Sequence, residues 1–229
     1  MTPPLTIVFP LFPGVTQLDF TGPHEVLSRA PGAEVTLASA RSGEIRTESG
    51  LVFAGLSRLA EVERCDVICV PGGFGATEAA LDQEFLPHVR RLALGARYIT
   101  SVCTGSLILG AAGLLQGRRA ACHWQWRYLL PLFGAIPDEG RVVRDGNIFT
   151  GGGVTAGIDF AFTLMAELAG DSFAQALQLG LEYAPAPPFQ CGRPELASPD
   201  VLAAVNTRVA SVIEPRAAQA REAAARMLA

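Results

Sequence analysis

Cys103 is the residue of this sequence best suited to act as a nucleophile. It follows an expected strand at residues 97–102 and precedes Thr104, Gly105 and an apolar run at residues 106–112. A strand, a nucleophilic residue, a glycine and a helix in this order are typical of a nucleophile elbow, which lifts a side chain out of a sheet. The N-terminus of the helix would favour the reactive thiolate. The alternative is a buried Cys in a tight turn.

Asp19 is the candidate acid/base group. It lies between a first strand at residues 6–9 and an expected helix start at residues 21–25, and its neighbours Leu18 and Phe20 are apolar. A carboxyl in apolar surroundings has a raised pKa and can donate a proton. The alternative is a turn or cap Asp on the surface. Only proximity to Cys103 in space would favour the catalytic role.

Histidine and lysine usage excludes several other chemistries. The chain has no Lys, which excludes a Schiff-base lysine, a P-loop and a lysine general base. Only three His are present, which makes a histidine-rich metal site improbable. His123 could face the pocket as a base or hydrogen-bond donor, although a structural His is the commoner outcome. No His adjoins Cys103, which disfavours a cysteine protease.

Composition and charge argue against nucleic acids and membranes as binding partners of this chain. The 229 residues are 49% hydrophobic and 17% charged, so a large core is expected. The net charge of −4 disfavours a nucleic-acid surface, and no apolar run is long enough to cross a membrane. Residues 1–4 carry no positive side chain before the first apolar run, which disfavours a secretory signal. With an odd count of five Cys, we predict reduced thiols and a cytoplasmic protein.

Strand and helix patterns alternate along the chain. Buried strands are predicted at residues 66–70 and 97–102, hairpins at 45–53 and 142–149, and helices at 84–94, 106–112, 156–168 and 171–182. Such alternation predicts an α/β fold with a mostly parallel sheet covered by helices on both faces. Ligands of these folds bind at the carboxyl ends of the strands, where residues 71–73, 103–105 and 150–153 would meet.

The chain is expected to consist of one domain with an appendage. Residues 1–189 would form the α/β domain, which ends in a stiff proline-rich segment at residues 184–188. Residues 190–229 would be a helical extension packed on the same domain or on a dimer. Residues 199–229 are rich in Ala and Arg and favour a helix, which Pro215 should break or restart.

Three motifs together resemble a known family. They are Ser-Val-Cys-Thr-Gly-Ser at residues 101–106, Val-Pro-Gly-Gly at 70–73 and Leu-Asp-Phe-Thr-Gly-Pro at 18–23. The chain resembles the PfpI-like, class I glutamine amidotransferase-like superfamily over about residues 5–189. The segment Leu-Glu-Tyr-Ala-Pro-Ala-Pro-Pro-Phe at residues 181–189 is similar to the branch that hydrates isocyanides.

The resemblance implies a flavodoxin-like α/β sandwich that forms a homodimer without metal or organic cofactor. It implies hydration of an isocyanide to an N-substituted formamide through a covalent thioimidate on Cys103, with Asp19 as general acid/base. Thr104 would line the site, and the amides of Gly72 and Gly73 would face the reacting group. Val154 would lie in the same pocket. That branch carries Ile there, so we expect looser packing in this chain.

Three other functions stay open at this point. The first is a glyoxalase-like or amidase-like member of the same superfamily. The second is a ligand-binding domain related to AraC-type regulators, although about forty residues after Phe189 are too few for their basic helix-turn-helix domain. The third is a redox sensor in which Cys103 is oxidised.

Overall fold

Six parallel strands form the centre of one sheet. The computed structural model describes residues 4–41 and 43–228, and its main sheet has the strand order β3-β4-β2-β1-β5-β6-β10-β9. All neighbouring pairs from β4 to β10 are parallel, whereas β3 and β9 are antiparallel strands at the two edges. The predicted mostly parallel α/β sheet is therefore confirmed.

The elements alternate along the chain as expected. The strands are β1 Leu5–Leu11, β2 Ala33–Ser39, β3 Gly43–Arg46, β4 Val52–Arg58, β5 Val67–Val70, β6 Tyr98–Val102, β7 Arg119–Ala120, β8 Ile136–Pro137, β9 Val142–Asp145 and β10 Ile148–Gly151. The helices are α1 Gln17–Leu27, α2 Ala76–Ala79, α3 Leu86–Gly95, α4 Gly105–Ala111, α5 Ala156–Ala169, α6 Asp171–Gly180 and α7 Pro199–Leu228. Strands β7 and β8 form a separate two-stranded sheet.

The central strands are buried on both faces. Every residue of β5 and β6 is buried. This agrees with their composition, since β5 is entirely apolar and β6 is mostly apolar. Helices α1 and α5 pack together, while α4 contacts α2, α3 and α7. Because β1-α1-β2 and β5-α3-β6 run in opposite directions across the sheet, right-handed crossovers place these two groups of helices on opposite faces. No helix within the described ranges is long and apolar enough to span a membrane.

Both predicted hairpins lie at the sheet edges. Strands β3 and β4 pair antiparallel, and so do β9 and β10, whose turn contains Gly146 with φ +64°. The edges are thus formed by local hairpins, whereas the centre depends on pairings between distant segments. Residues 1–3, on which the expectation about a secretory signal partly relied, and residue 229 lie outside the described residues.

The expected start of α1 was wrong. The helix begins at Gln17, four residues before Thr21, so Asp19 lies in its first turn instead of preceding it. The Thr21 hydroxyl donates a hydrogen bond to the Gln17 carbonyl within the helix, and Pro23 is an interior residue. Burial of Phe20 and other apolar residues of α1 outweighs the backbone hydrogen bond that Pro23 removes.

The expected break at Pro215 was also wrong. Helix α7 is continuous from Pro199 to Leu228. Its second half packs on α4 and α2 through buried small residues, Ala217, Ala220, Ala223 and Ala224. This close packing favours a continuous helix despite the missing N–H of Pro215. The division of the chain at residue 189 stays a prediction.

Candidate active site

Four neighbouring parallel strands end at the same place on the sheet edge. Strand β5 leads into Pro71, Gly72 and Gly73, β6 leads into Cys103, and β10 leads into Gly152. Strand β1 leads through a short loop into α1, which carries Asp19. The strand order therefore brings together residues that lie between 19 and 152 in the sequence, as the parallel-sheet prediction required.

Cys103 occupies a sharp turn between β6 and α4. Its φ is +57°, a left-handed conformation that L-residues rarely adopt. The Cys103 N–H donates to the carbonyl oxygens of Gly151 and Gly152, at 3.0 and 2.8 Å, which holds the turn against β10. A Cβ on Gly105 would lie 2.2 Å from the Val70 carbonyl oxygen, so α4 starts in close contact with β5. The predicted elbow is present, and it presents a buried thiol.

Asp19 is fully buried beside Cys103. Its Oδ2 accepts a hydrogen bond of 3.0 Å from the Gly72 N–H, and its Oδ1 has no hydrogen-bond partner within residues 4–41 and 43–228. Burial raises the pKa of Asp19 to about 7, although contacts with the Cys103 thiol and the Gly72 N–H oppose the rise. Near neutral pH this carboxyl can both hold and release a proton.

Burial of the Cys103 thiol works against the lowered pKa that we expected from the helix N-terminus. Burial raises the pKa of Cys103 well above its ordinary value, and the negative charge of Asp19 raises it further. The Thr104 N–H acts in the opposite direction, but it does not outweigh these two effects. Two ionised groups in contact within one buried site are unfavourable. The Asp19–Cys103 pair therefore carries at most one negative charge near neutral pH, and at least one of the two groups keeps its proton.

The amides of Gly72 and Gly73 hold other groups of the site. The Gly72 N–H donates to Asp19, and the Gly73 N–H donates to Thr104 Oγ1 at 2.9 Å. The Thr104 hydroxyl in turn lies 3.1 Å from the Gly73 carbonyl oxygen and donates to it. This corrects the expectation that both amides face the reacting group: they fix the carboxyl and the loop after β5.

A pocket of about 120 Å³ opens next to the thiol. Its lining includes most of the predicted site residues, namely Gly73, Cys103, Thr104, His123 and Val154, together with Thr16, Glu48, Phe74, Gln125 and Trp126. Asp19 and Gly72 are not part of this lining and are hydrogen-bonded to each other. The predicted residues are therefore brought together, with Val154 at the entry to α5 and half-buried.

His123 lines this pocket in a mainly structural environment. Its Nδ1 accepts a hydrogen bond of 3.3 Å from the Gln125 N–H, and its ring stacks on Trp124. Burial lowers its pKa, so the imidazole is neutral at pH 7. These contacts agree with the structural His that we expected.

Sequence reasoning missed Glu48. Its Oε1 accepts from the Thr16 hydroxyl at 2.8 Å and its Oε2 from the Phe74 N–H at 3.2 Å, so it ties the loops after β1 and β5 together. Its charge also contributes to the raised pKa of Asp19. In the sequence Glu48 is an ordinary turn residue of the β3–β4 hairpin, and no local signal distinguishes it.

Comparison with known proteins identifies the family. A model of the DJ-1/PfpI family matches residues 5–167, which include all four loops of the site. The chain belongs to the DJ-1/PfpI family. Within this family it is 50% identical over 223 residues to the isonitrile hydratase of Pseudomonas putida, covering 97% of this chain and 98% of that one.

Solved structures of DJ-1/PfpI proteins share the fold. A ThiJ/PfpI family protein from Pseudomonas syringae is 40% identical and has a TM-score of 0.91, covering 95% of this chain and 90% of its own. Drosophila melanogaster DJ-1beta is 26% identical with a TM-score of 0.71, and it covers 80% of this chain and all of its own. The fold of this chain is thus shared with solved members of the family.

Gly72→Ala should disrupt the site. A Cβ there would lie 2.4 Å from the Thr104 backbone nitrogen and 2.8 Å from Asp19 Oδ2, so backbone must shift. We expect about 1–3 kcal/mol lower stability and altered alkylation of Cys103 by iodoacetamide. Urea unfolding and mass spectrometry measure both. Gly95→Ala is the matched control, because nothing lies within 4 Å of that Cβ. Equal effects of the two substitutions would contradict the close-contact argument.

The raised pKa of Asp19 predicts a pH-dependent stability. Between its ordinary value of 3.8 and about 7, the unfolded chain releases this proton while the folded chain keeps it. The protonated Asp19 therefore adds about 4 kcal/mol to the free energy of unfolding below pH 3.8, and this contribution is lost as pH rises through 7. Relative to wild type, Asp19→Asn should gain stability from pH 4 to pH 8 in urea titrations. A constant difference across this range would contradict the raised pKa.

Proposed function

We propose that this protein hydrates isocyanides, R–N≡C, to N-substituted formamides. The observation that carries the proposal is the buried Asp19–Cys103 pair beside a small pocket, in which burial raises the pKa of both groups. The substrate class is supported by the 50% identity to a protein named isonitrile hydratase.

The chemistry of an isocyanide matches what this pair offers. Its terminal carbon must accept both a nucleophile and a proton, so the two groups have to act at one point in space. A thiol and a carboxyl in contact supply both. No group leaves in this first step, so no separate acid is needed, and His123 has no assigned role in proton transfer.

In the first half-reaction the Cys103 sulfur forms a bond to the isocyanide carbon. The single proton of the pair passes through Asp19 to the same carbon. The product is the thioimidate R–N=CH–S–Cys103, and Asp19 is left as a carboxylate. The unpartnered Oδ1 is the oxygen available for this transfer, because Oδ2 is held by the Gly72 N–H.

In the second half-reaction Asp19 acts as a base. Its carboxylate takes a proton from water as the water oxygen adds to the thioimidate carbon, and the nitrogen takes up this proton from Asp19. The C–S bond then breaks, the hydroxyl proton returns to the Asp19–Cys103 pair, and R–NH–CHO leaves. The sum is R–N≡C + H₂O → R–NH–CHO, with no redox change and the pair restored.

Formamide production tests the proposal. Wild type should convert a simple aryl isocyanide to its formamide, followed by chromatography. Cys103→Ala should abolish turnover because no thioimidate can form, and Asp19→Asn should lower kcat by about 10²–10⁴-fold because proton transfer is lost. Acid-quenched wild type should show Cys103 heavier by the mass of the isocyanide.

Matched variants control for folding and for non-specific thiol chemistry. Cys191→Ala removes the exposed thiol and Asp171→Asn an exposed carboxyl, so both should retain full turnover. No formamide from folded wild type would reject the hydratase proposal. Turnover that survives Cys103→Ala would reject the covalent mechanism.

We further propose that the protein is a homodimer. An apolar concavity of about 410 Å³ between α1 and α5, lined by residues such as Leu18, Val26, Ile158 and Phe162, is of the kind that a second subunit covers. Sedimentation velocity at micromolar concentration should give twice the mass of 24.1 kDa, and a monomer would reject this proposal. The cytoplasmic location stays a prediction.

A further inference from the structure

Arg216 on α7 lies close to two aromatic walls of the Cys103 pocket. Its guanidinium carbon is 4.0 Å from the ring centroid of Phe74 and 5.2 Å from that of Trp126. Both aromatic rings line the pocket, whereas Arg216 does not. A cation within about 6 Å of an aromatic face is attracted by the ring. Arg216 therefore connects two pocket walls that come from different parts of the chain.

The guanidinium is not held by a carboxylate. Among the described residues Arg216 takes part in no ion pair and in no hydrogen bond, although many arginines of the chain do. Burial lowers its pKa, while the charges of Glu78 and Glu48 raise it, and the group stays positively charged at neutral pH. The two aromatic rings are thus its main fixed contacts, which is how a partly desolvated cation stabilises a stack.

Helix α7 is attached firmly enough to place this cation. The Thr77 hydroxyl of α2 donates to Gln219 Oε1 at 2.6 Å, and Arg226 donates to the Leu81 carbonyl oxygen at 3.2 Å. Buried alanines, including Ala217 next to Arg216, pack the same segment against α4. The side chain therefore projects from a rigid helix and not from a loose tail.

Phe74 is the wall that most needs support. Phe74 is 46% exposed, and it follows Gly73 in the loop after β5. Glu48 fixes only its backbone N–H. The ring centroid lies 4.0 Å from the Arg216 guanidinium carbon, whereas Trp126 is 4% exposed and packs in the core. Loss of the cation would release the Phe74 ring at the pocket mouth.

We propose that Arg216 is a positioning residue that sets which isocyanide substituents enter the Cys103 pocket. By holding Phe74 against Trp126 it keeps the pocket narrow, which favours small R groups over bulky aromatic ones. The substrate class in this statement rests on the proposed function, but the control of access to the thiol does not.

Alkylation of Cys103 tests access without any turnover. Rate constants for small iodoacetamide and bulky N-phenylmaleimide are measured on the intact protein by mass spectrometry of the Cys103 peptide. Arg216→Met should raise the ratio of the bulky to the small rate constant about tenfold, the size expected when a desolvated cation–π contact is lost. Arg216→Gln is a second neutral variant, used if the Met variant unfolds at a lower urea concentration.

Arg221→Met is the matched control. It is the same substitution on the same helix, at an exposed arginine that pairs with Glu214. It should leave the alkylation ratio unchanged. An unchanged ratio in both Arg216 variants, or an equal change in Arg221→Met, would overturn the inference.

Turnover separates this inference from the hydratase proposal. In Arg216→Met, kcat/KM for methyl isocyanide relative to a naphthyl isocyanide should fall about tenfold, mainly through KM, while kcat for the small substrate stays within about twofold. A changed alkylation ratio in a protein without turnover would reject the hydratase and leave Arg216 as a gatekeeper of the thiol. A changed kcat with unchanged selectivity would overturn the positioning role.

Discussion

The burial of two acidic groups side by side is the constraint on which the site depends. The Asp19 carboxyl and the Cys103 thiol are both almost fully buried, and the negative charge of Asp19 raises the cost of ionising the thiol, whereas the neutral thiol favours the Asp19 carboxylate. Desolvation and mutual repulsion allow the pair a single negative charge near neutral pH. The pair therefore keeps a proton next to a nucleophile, a combination that neither group would provide in water.

Main-chain groups at strand ends hold this pair together. The Gly72 N–H fixes Asp19, and the carbonyl groups of Gly151 and Gly152 fix the Cys103 turn in its left-handed conformation. A strained turn of this kind persists because the surrounding strands over-determine it. Since these strands are central and parallel, the precision of the site comes from the most rigid part of the fold.

The chemistry and the entrance of the site come from different parts of the chain. The four loops that carry the pair lie within residues 5–167, the range matched by the family model. The cation close to the pocket walls belongs to α7, which lies outside this range. This arrangement allows reactivity to be conferred by the shared sandwich while access to the thiol is set by the C-terminal helix.

By itself the sequence determined the parallel α/β sandwich, both edge hairpins and the elbow at Cys103, because continuous apolar strands and glycine turns are local patterns. Only the tertiary structure placed Asp19 in contact with the thiol and raised both pKa values, since desolvation depends on neighbours distant in sequence. It also decided the roles of Glu48 and Arg216, a turn residue and a helix residue without local signals. Burial decided that α1 starts at Gln17 and that α7 continues through Pro215, because burial outweighs the local preferences of one or two residues.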